Sequence, residues 1–157
     1  MALFLSTFIN RIDKKGRVSV PASFRASVSA QAFNGVVLFR SHAHACLEGV
    51  DYATMEELSG RLDAYDFLSS DQDDLATSIF GEAVQLTFDG DGRIVLPADL
   101  IAHAGLGDQV AFVGMGRKFQ IWNPDHYKAR RDEARQHVFE KGLTVPRRPD
   151  GDKGGRD

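Results

Sequence analysis

Asp13 to Arg25 reads DKKGRVSVPASFR, and Asp89 to Ile101 reads DGDGRIVLPADLI. Set side by side without a gap, Asp13 falls on Asp89, Gly16 on Gly92, Arg17 on Arg93, Val18 on Ile94, Val20 on Leu96, Pro21 on Pro97 and Ala22 on Ala98. That many coincidences in 157 residues mark an internal repeat. Each copy spells strand, tight turn, strand, helix. The aspartate can accept from turn amides, the glycine can take a positive φ, and aliphatic residues then alternate up to the proline. Proline cannot donate to a sheet ladder but suits the first turn of a helix, so it predicts where strand gives way to helix.

The likeness extends on both sides of these stretches. In the first copy, Phe4 to Ile12 predicts a strand, with Val18 to Val20 as its hairpin partner. A helix from Ala22 to Ala30 follows, with Phe24, Val28 and Gln31 at helical spacing. Asn34-Gly35 is a turn signal before a buried strand, Val36 to Phe39, and Cys46-Leu47 begins another. Asp51 is placed to cap a helix through Met55, Leu58 and Leu62. The second copy repeats this order. Strands are expected at Ala83 to Phe88 and Ile94 to Leu96, and a helix from Pro97 to near Gly105. Val110 to Val113 answers Val36 to Phe39, Gln120-Ile121 answers Cys46-Leu47, and Asp125 answers Asp51. The offset is 76 residues at the turn and 74 at the later strands, so the second copy is two residues shorter in between.

Between Glu48 and Asp74, nine acidic residues face a single base, Arg61. A charge run of one sign reads as a solvated helical connector, with a basic face of a neighbouring subunit as the sharper alternative. Ser70 is expected to cap its second helix, which passes Leu75, Ile79 and Phe80 and ends at Gly81. Asn123-Pro124 opens a last helix to about Lys141, with Tyr127, Ala134, Val138 and Phe139 available to pack. From Thr144 the chain reads TVPRRPDGDKGGRD, too poor in apolar residues to offset its ordering entropy. The expected segments are therefore a first repeat unit at 7–54, the connector at 55–82, a second unit at 83–126, a C-terminal helix at 127–142 and a disordered tail at 143–157.

Composition narrows the function classes. Hydrophobic residues make up 43% of the chain, which is enough for a folded core. The formal charge of -3 excludes a generally basic nucleic-acid coat, so any DNA contact must come from a local patch. One cysteine forms no internal disulfide, which suits a reducing cytoplasm. No apolar run reaches the roughly 18 residues of a membrane span, and the opening MALFLSTFINRID lacks the basic start and cleavage signal of a secretory leader. There is no Gly-rich phosphate loop, nucleophile elbow or convergent carboxylate pair, so no enzyme and no cofactor is expected. His42, His44 and Cys46 alternate as H-A-H-A-C and would share a face on a strand, but no fourth zinc ligand is apparent and no metal is expected. Trp122 reads as core rather than as a stacking platform.

The local patch is in the first copy. Arg11, Lys14, Lys15, Arg17 and Arg25 lie within fifteen residues, with Asp13 the only acid among them. The turn DKKGR carries one acid against three bases, a charge of +2, whereas DGDGR carries two against one, a charge of -1. A duplex is a polyanion, so the first copy is expected to make most of the DNA contact and the second to serve folding and assembly. Asp13 with Arg17, and Asp89 with Arg93, are expected to close their turns as structural pairs, with Gly16, Pro21, Gly92 and Pro97 completing the motif. A solvated turn is the plain alternative. Arginine can also hold a phosphate or a guanine edge with two parallel bonds, which lysine cannot.

The paired D-x-x-G-R-x-x-x-P turns, the acidic connector between them and the opening FLSTFINRIDKKGRVSVPASFR resemble the MraZ family. The resemblance covers most of Leu3 to about Glu140. It implies two swapped-hairpin units of the AbrB type, an α+β, mainly β fold in which one chain supplies a pseudo-twofold β-barrel with flanking helices. It also implies a bacterial transcriptional regulator, cytoplasmic and nucleoid-associated. Such a regulator acts as a ring-shaped homo-oligomer on repeated promoter elements of a cell-division and cell-wall gene cluster that includes its own gene. The D-x-x-x-R residues of the family map onto Asp13 with Arg17 and Asp89 with Arg93. Arg25 occupies a position often basic in the family, whereas its counterpart here is Ile101. The implied partners are double-stranded promoter DNA and further copies of the chain, with no membrane and no small-molecule substrate. The alternative is an antitoxin-like DNA-binding and protein-interaction module, a use to which AbrB-type folds are also put.

Overall fold

The computed structural model describes residues 2–148. They form an α+β fold: a six-stranded antiparallel sheet, a two-stranded ribbon and five α-helices. In the first copy, strand β1 (Thr7–Arg11) leads through the Asp13 turn to β2 (Arg17–Ser19), helix α1 (Ala22–Val28), β3 (Gly35–Arg40) and β4 (Leu47–Val50). The connector holds α2 (Tyr52–Arg61) and α3 (Ser70–Leu75). The second copy repeats the series as β5 (Val84–Thr87), β6 (Arg93–Val95), α4 (Ala98–Ala104), β7 (Gln109–Gly114) and β8 (Phe119–Trp122), followed by α5 (Pro124–Lys141).

The expected pairing of β2 back along β1 is not what forms. Ile12 and Val18 make an isolated bridge, but β2 itself pairs with β6, β1 pairs with β7, and β5 pairs with β3. The sheet order β1-β7-β8-β4-β3-β5 therefore joins each copy's first strand to the other copy's third. A lone two-stranded hairpin is marginal in water. By exchanging strands, the chain lets Val18 (1% exposed) and Ile94 (0%) bury each other at the centre of the ribbon.

The register is symmetric. Val18 pairs with Ile94, its counterpart 76 residues on, and Leu47 pairs with Ile121, its counterpart at the offset of 74. A pseudo-twofold axis thus passes through both pairs. Around it lies the core, in which Phe4, Phe24, Phe112 and Phe119 are fully buried with ring centroids 5.0 to 6.2 Å apart. Each such side chain contributes roughly 1.5–3 kcal/mol by leaving water. Phe4 lies outside β1 because Ser6 takes a φ of 74° and breaks the strand; its amide donates to the Gly116 carbonyl at 2.7 Å instead. The helices open after prolines as expected, at Pro21 and Pro97, and both occupy the cap position with extended backbone.

The connector forms a second apolar layer, in which Val37, Phe39, Val50 and Met55 are buried against Leu58, Ile79, Phe80 and Ala83. Asp51 caps α2 by accepting from the Thr54 amide at 3.0 Å. The acidic run is only partly a solvated face. Glu48 lies on β4, whose residues are all buried, and accepts from Lys118 Nζ at 3.0 Å and from Gln120 Nε2 at 3.2 Å. Glu57 receives Arg61 at 2.8 Å and also binds Arg117, whose guanidinium holds the Glu57 carboxyl below its ordinary pKa. Glu56, Asp63, Asp66, Asp71, Asp73 and Asp74 are exposed. Ser69, not Ser70, caps α3, accepting from the Gln72 amide at 3.1 Å, and the helix widens into a π-turn over Ala76–Gly81.

The chain divides into two compact units, Met1–Pro124 and Asp125–Asp157. Helix α5 has no buried residue, and Val138 and Phe139, expected to pack, are exposed. Residues 143–148 have no regular structure; the rest of the expected tail, 149–157, lies outside the described residues.

Candidate nucleic-acid interface

The turn at Asp13 is built from its aspartate. Oδ1 accepts from the Lys15 and Arg17 amides, both at 2.9 Å, and Oδ2 accepts from Arg17 Nε at 2.6 Å. Asp89 does the same, taking the Asp91 amide at 2.8 Å and the Arg93 amide and Nε at 2.9 Å each. The Arg17 amide is the leading cause of a lowered Asp13 pKa, and the Arg93 amide of a lowered Asp89 pKa. Each carboxylate is thus engaged by its own turn. Each guanidinium has Nε committed to its own aspartate while the side chain stays partly exposed, and Arg93 has a further contact with Asp91 at 3.4 Å.

Gly16 and Gly92 have φ of 84° and 76°, the left-handed region that disfavours side chains. Backbone bonds then tie each turn to the other copy, since the Leu96 amide donates to the Gly16 carbonyl at 2.8 Å and the Val20 amide to the Gly92 carbonyl at 3.1 Å. The two turns therefore sit at opposite ends of the β2–β6 ribbon.

Along that ribbon the side chains alternate. Val18, Val20, Ile94 and Leu96 point into the core, while Arg17, Ser19, Arg93 and Val95 form the outer face. Arg17 pairs with Val95 in one row, and Ser19 with Arg93 in the next. Lys14 and Lys15 are exposed at the end of the ribbon beside Arg17, with Arg11 exposed at the end of β1.

Arg25 is not with them. Its Nε donates to the Val20 carbonyl at 3.1 Å, and its guanidinium lies over the second turn, where a Cβ on Gly92 would come within 2.6 Å of it. Ile101, its counterpart, lies over the first turn, its Cδ1 3.7 Å from the place of a Gly16 Cβ. Strand exchange thus moves the α1 cation onto the second copy's turn and lessens the charge difference between the two ends. Alternation within RVSV and RIVL, rather than charge, is the sequence signal that marks Ser19, Arg93 and Val95 as outward positions of the ribbon.

His42, His44 and Cys46 lie on a loop, not a strand: Ser41 Oγ accepts from the Ala43 and His44 amides at 3.2 Å each. His42 is exposed and Cys46 buried, so no common face presents them, and no metal-binding group of three or more such residues occurs among the described residues. Trp122 is core as expected, 4% exposed, with its Nε1 donating to Gln120 Oε1 at 2.8 Å. No helix among the described residues is long and apolar enough to cross a membrane.

Residues 79–144 match a family model described as "MraZ protein, putative antitoxin-like". The chain is 48% identical over 146 residues to a protein of Rickettsia bellii named Transcriptional regulator MraZ, covering 92% of this chain and 97% of that one. It is 47% identical over 152 residues to the protein of that name from Gluconobacter oxydans, covering 95% and 92%, and 42% identical over 145 residues to that of Rickettsia akari, covering 92% and 97%. With two turn motifs in register, strands exchanged between the halves that carry them, and this likeness along nearly the whole length, the chain belongs to the MraZ family.

Proposed function

We propose that this chain is a sequence-specific DNA-binding transcriptional regulator, a binder rather than an enzyme, that meets the duplex with the outer face of the β2–β6 ribbon. The relatives' printed name supports the class. The observation that carries the site is the end of the ribbon, where exposed Lys14 and Lys15 stand beside the partly exposed Arg17 and the one acid among them, Asp13, is engaged by its own turn. A two-stranded antiparallel ribbon is of a size to enter a major groove. Arg11, at the end of β1, then reaches a phosphate beside this turn, and Arg25, over the second turn, one near the other end of the ribbon.

Three or four cations bind DNA weakly at physiological salt. Affinity therefore comes from a ring-shaped homo-oligomer that presents several ribbons to repeated promoter elements, each further contact being made at high effective concentration. The proposed target, which the family resemblance only implies, is the promoter of a division and cell-wall gene cluster that includes the chain's own gene, and the proposed location is the nucleoid. The test is native mass with and without that promoter, with binding followed across salt. Loss of binding when all but one repeat is removed, together with steep salt dependence, is expected. A lone subunit, or undiminished binding to one repeat at high salt, overturns the reading.

A second reading, an antitoxin-like module, draws on Phe67 (83% exposed) and Leu68 (91%), two large apolar side chains between Asp66 and Asp71. Recovery of a small nuclease at equal stoichiometry on the purified chain favours it, and failure of Phe67→Ser to lower that yield removes it.

A further inference from the structure

We propose that Val95 is a specificity-determining residue that reads the C5-methyl group of a thymine next to the base held by Arg17; this rests on the DNA reading of the ribbon given above. Val95, the last residue of β6, is 53% exposed, whereas Ile94 before it and Leu96 after it are 0% and 2% exposed. It is the Cα partner of Arg17. Directly opposed side chains on such a ribbon have Cβ atoms about 5 Å apart, so an arginine fork and a branched apolar tip fall on neighbouring base steps.

The ribbon's own geometry does not require an apolar residue there. The position related to Val95 by the pseudo-twofold is Ser19, equally outward and exposed, so the same strand environment is filled by a hydroxyl in the other copy. The two rows are therefore chemically different, arginine with valine in one and arginine with serine in the other. Base edges in the major groove offer one apolar feature, the thymine methyl, and short apolar side chains recognise it by contact. Arg17 is held for the neighbouring base by its Nε bond to Asp13 at 2.6 Å, which sets the direction of its fork. The chain, although it imitates a symmetric pair, thus reads an element with a direction.

The test uses the full chain and a duplex that it selects from a random pool. Each thymine of that duplex is replaced in turn by deoxyuridine, which removes only the methyl group, and affinity is measured for the wild type, Val95→Ser and Val95→Thr. One position per repeat is expected to weaken the wild type about fourfold, the equivalent of one buried methyl. Val95→Thr, which keeps one methyl, retains that sensitivity, and Val95→Ser loses it while keeping its salt dependence. Equal sensitivity of wild type and Val95→Ser at every position, or none in the wild type, overturns the assignment of Val95 and leaves the DNA reading standing. If no duplex is selected, the DNA reading falls and this inference with it.

Discussion

Val18 lies directly across the ribbon from Ile94, the residue that holds its own place in the second copy. The contact is therefore one each half makes with the image of itself, and it is closed to water, at 1% and 0% exposure. Ile94→Ala should lower stability by about 2–5 kcal/mol through reduced burial and the cavity left behind. Val18→Ala should cost less, and the double variant less than the sum, because both enlarge one cavity. Urea unfolding of the three variants measures this; full additivity would show that the two side chains do not share a site.

The turn glycines should differ. An alanine at either position meets the strain of a positive φ, about 1–3 kcal/mol. At Gly16 the new Cβ would also lie 2.7 Å from the Leu96 carbonyl oxygen, which is fixed backbone, whereas at Gly92 it would meet the Arg25 guanidinium at 2.6 Å, which can move aside. Gly16→Ala is accordingly the more harmful change. Adding Arg25→Ala should recover part of the stability that Gly92→Ala removes and none of that removed by Gly16→Ala, as read in unfolding midpoints.

Acid should loosen both turns together. Asp13 and Asp89 have pKa values lowered on folding, first by the amides of Arg17 and Arg93. A lowered folded pKa stabilises the fold above the unfolded value, near 3.8, and that contribution is lost as pH falls through the folded value. The Asp13→Asn, Asp89→Asn double variant should start less stable at neutral pH and lose less between about pH 5 and about pH 3. Parallel pH profiles for the two proteins would contradict the linkage.

On DNA, Lys14→Ala and Lys15→Ala should each weaken binding and lower the slope of log affinity against log salt by about 0.9 for each phosphate no longer neutralised. Gly90→Lys with Asp91→Lys, which rewrites the second turn as DKKGR, should strengthen binding and steepen the slope. Fluorescence anisotropy across salt decides this. Equal weakening by neutral substitutions in either turn would refute an inequality between the copies.

The turns are legible because their chemistry is local: an aspartate reaching amides two and four residues on, and a glycine and a proline at fixed offsets, carry their structure in the sequence. Even the symmetry is there, in the offsets of 76 and 74 that the register of Val18 with Ile94 and Leu47 with Ile121 reproduces. What local pattern does not give is the partner of β2, because a short alternating strand fits a neighbour in sequence as well as one far along the chain. That exchange is why Arg25 belongs to the first cluster in sequence and yet covers Gly92 in space. Glu48 departs from the acidic run for a related reason. Its strand is buried on both faces, and its compensating donors, Lys118 and Gln120, are about seventy residues away.

Arg25 facing Gly92 where Ile101 faces Gly16 has a further meaning. In an assembly of two identical chains, every substitution appears twice and the two ends of the ribbon can never differ. Joining both halves in one polypeptide lifts that constraint, so each end can drift on its own while the shared strands keep the halves bound at any dilution. A duplicated ancestor of this kind could exchange palindromic preference for polarity along the double helix without giving up its scaffold.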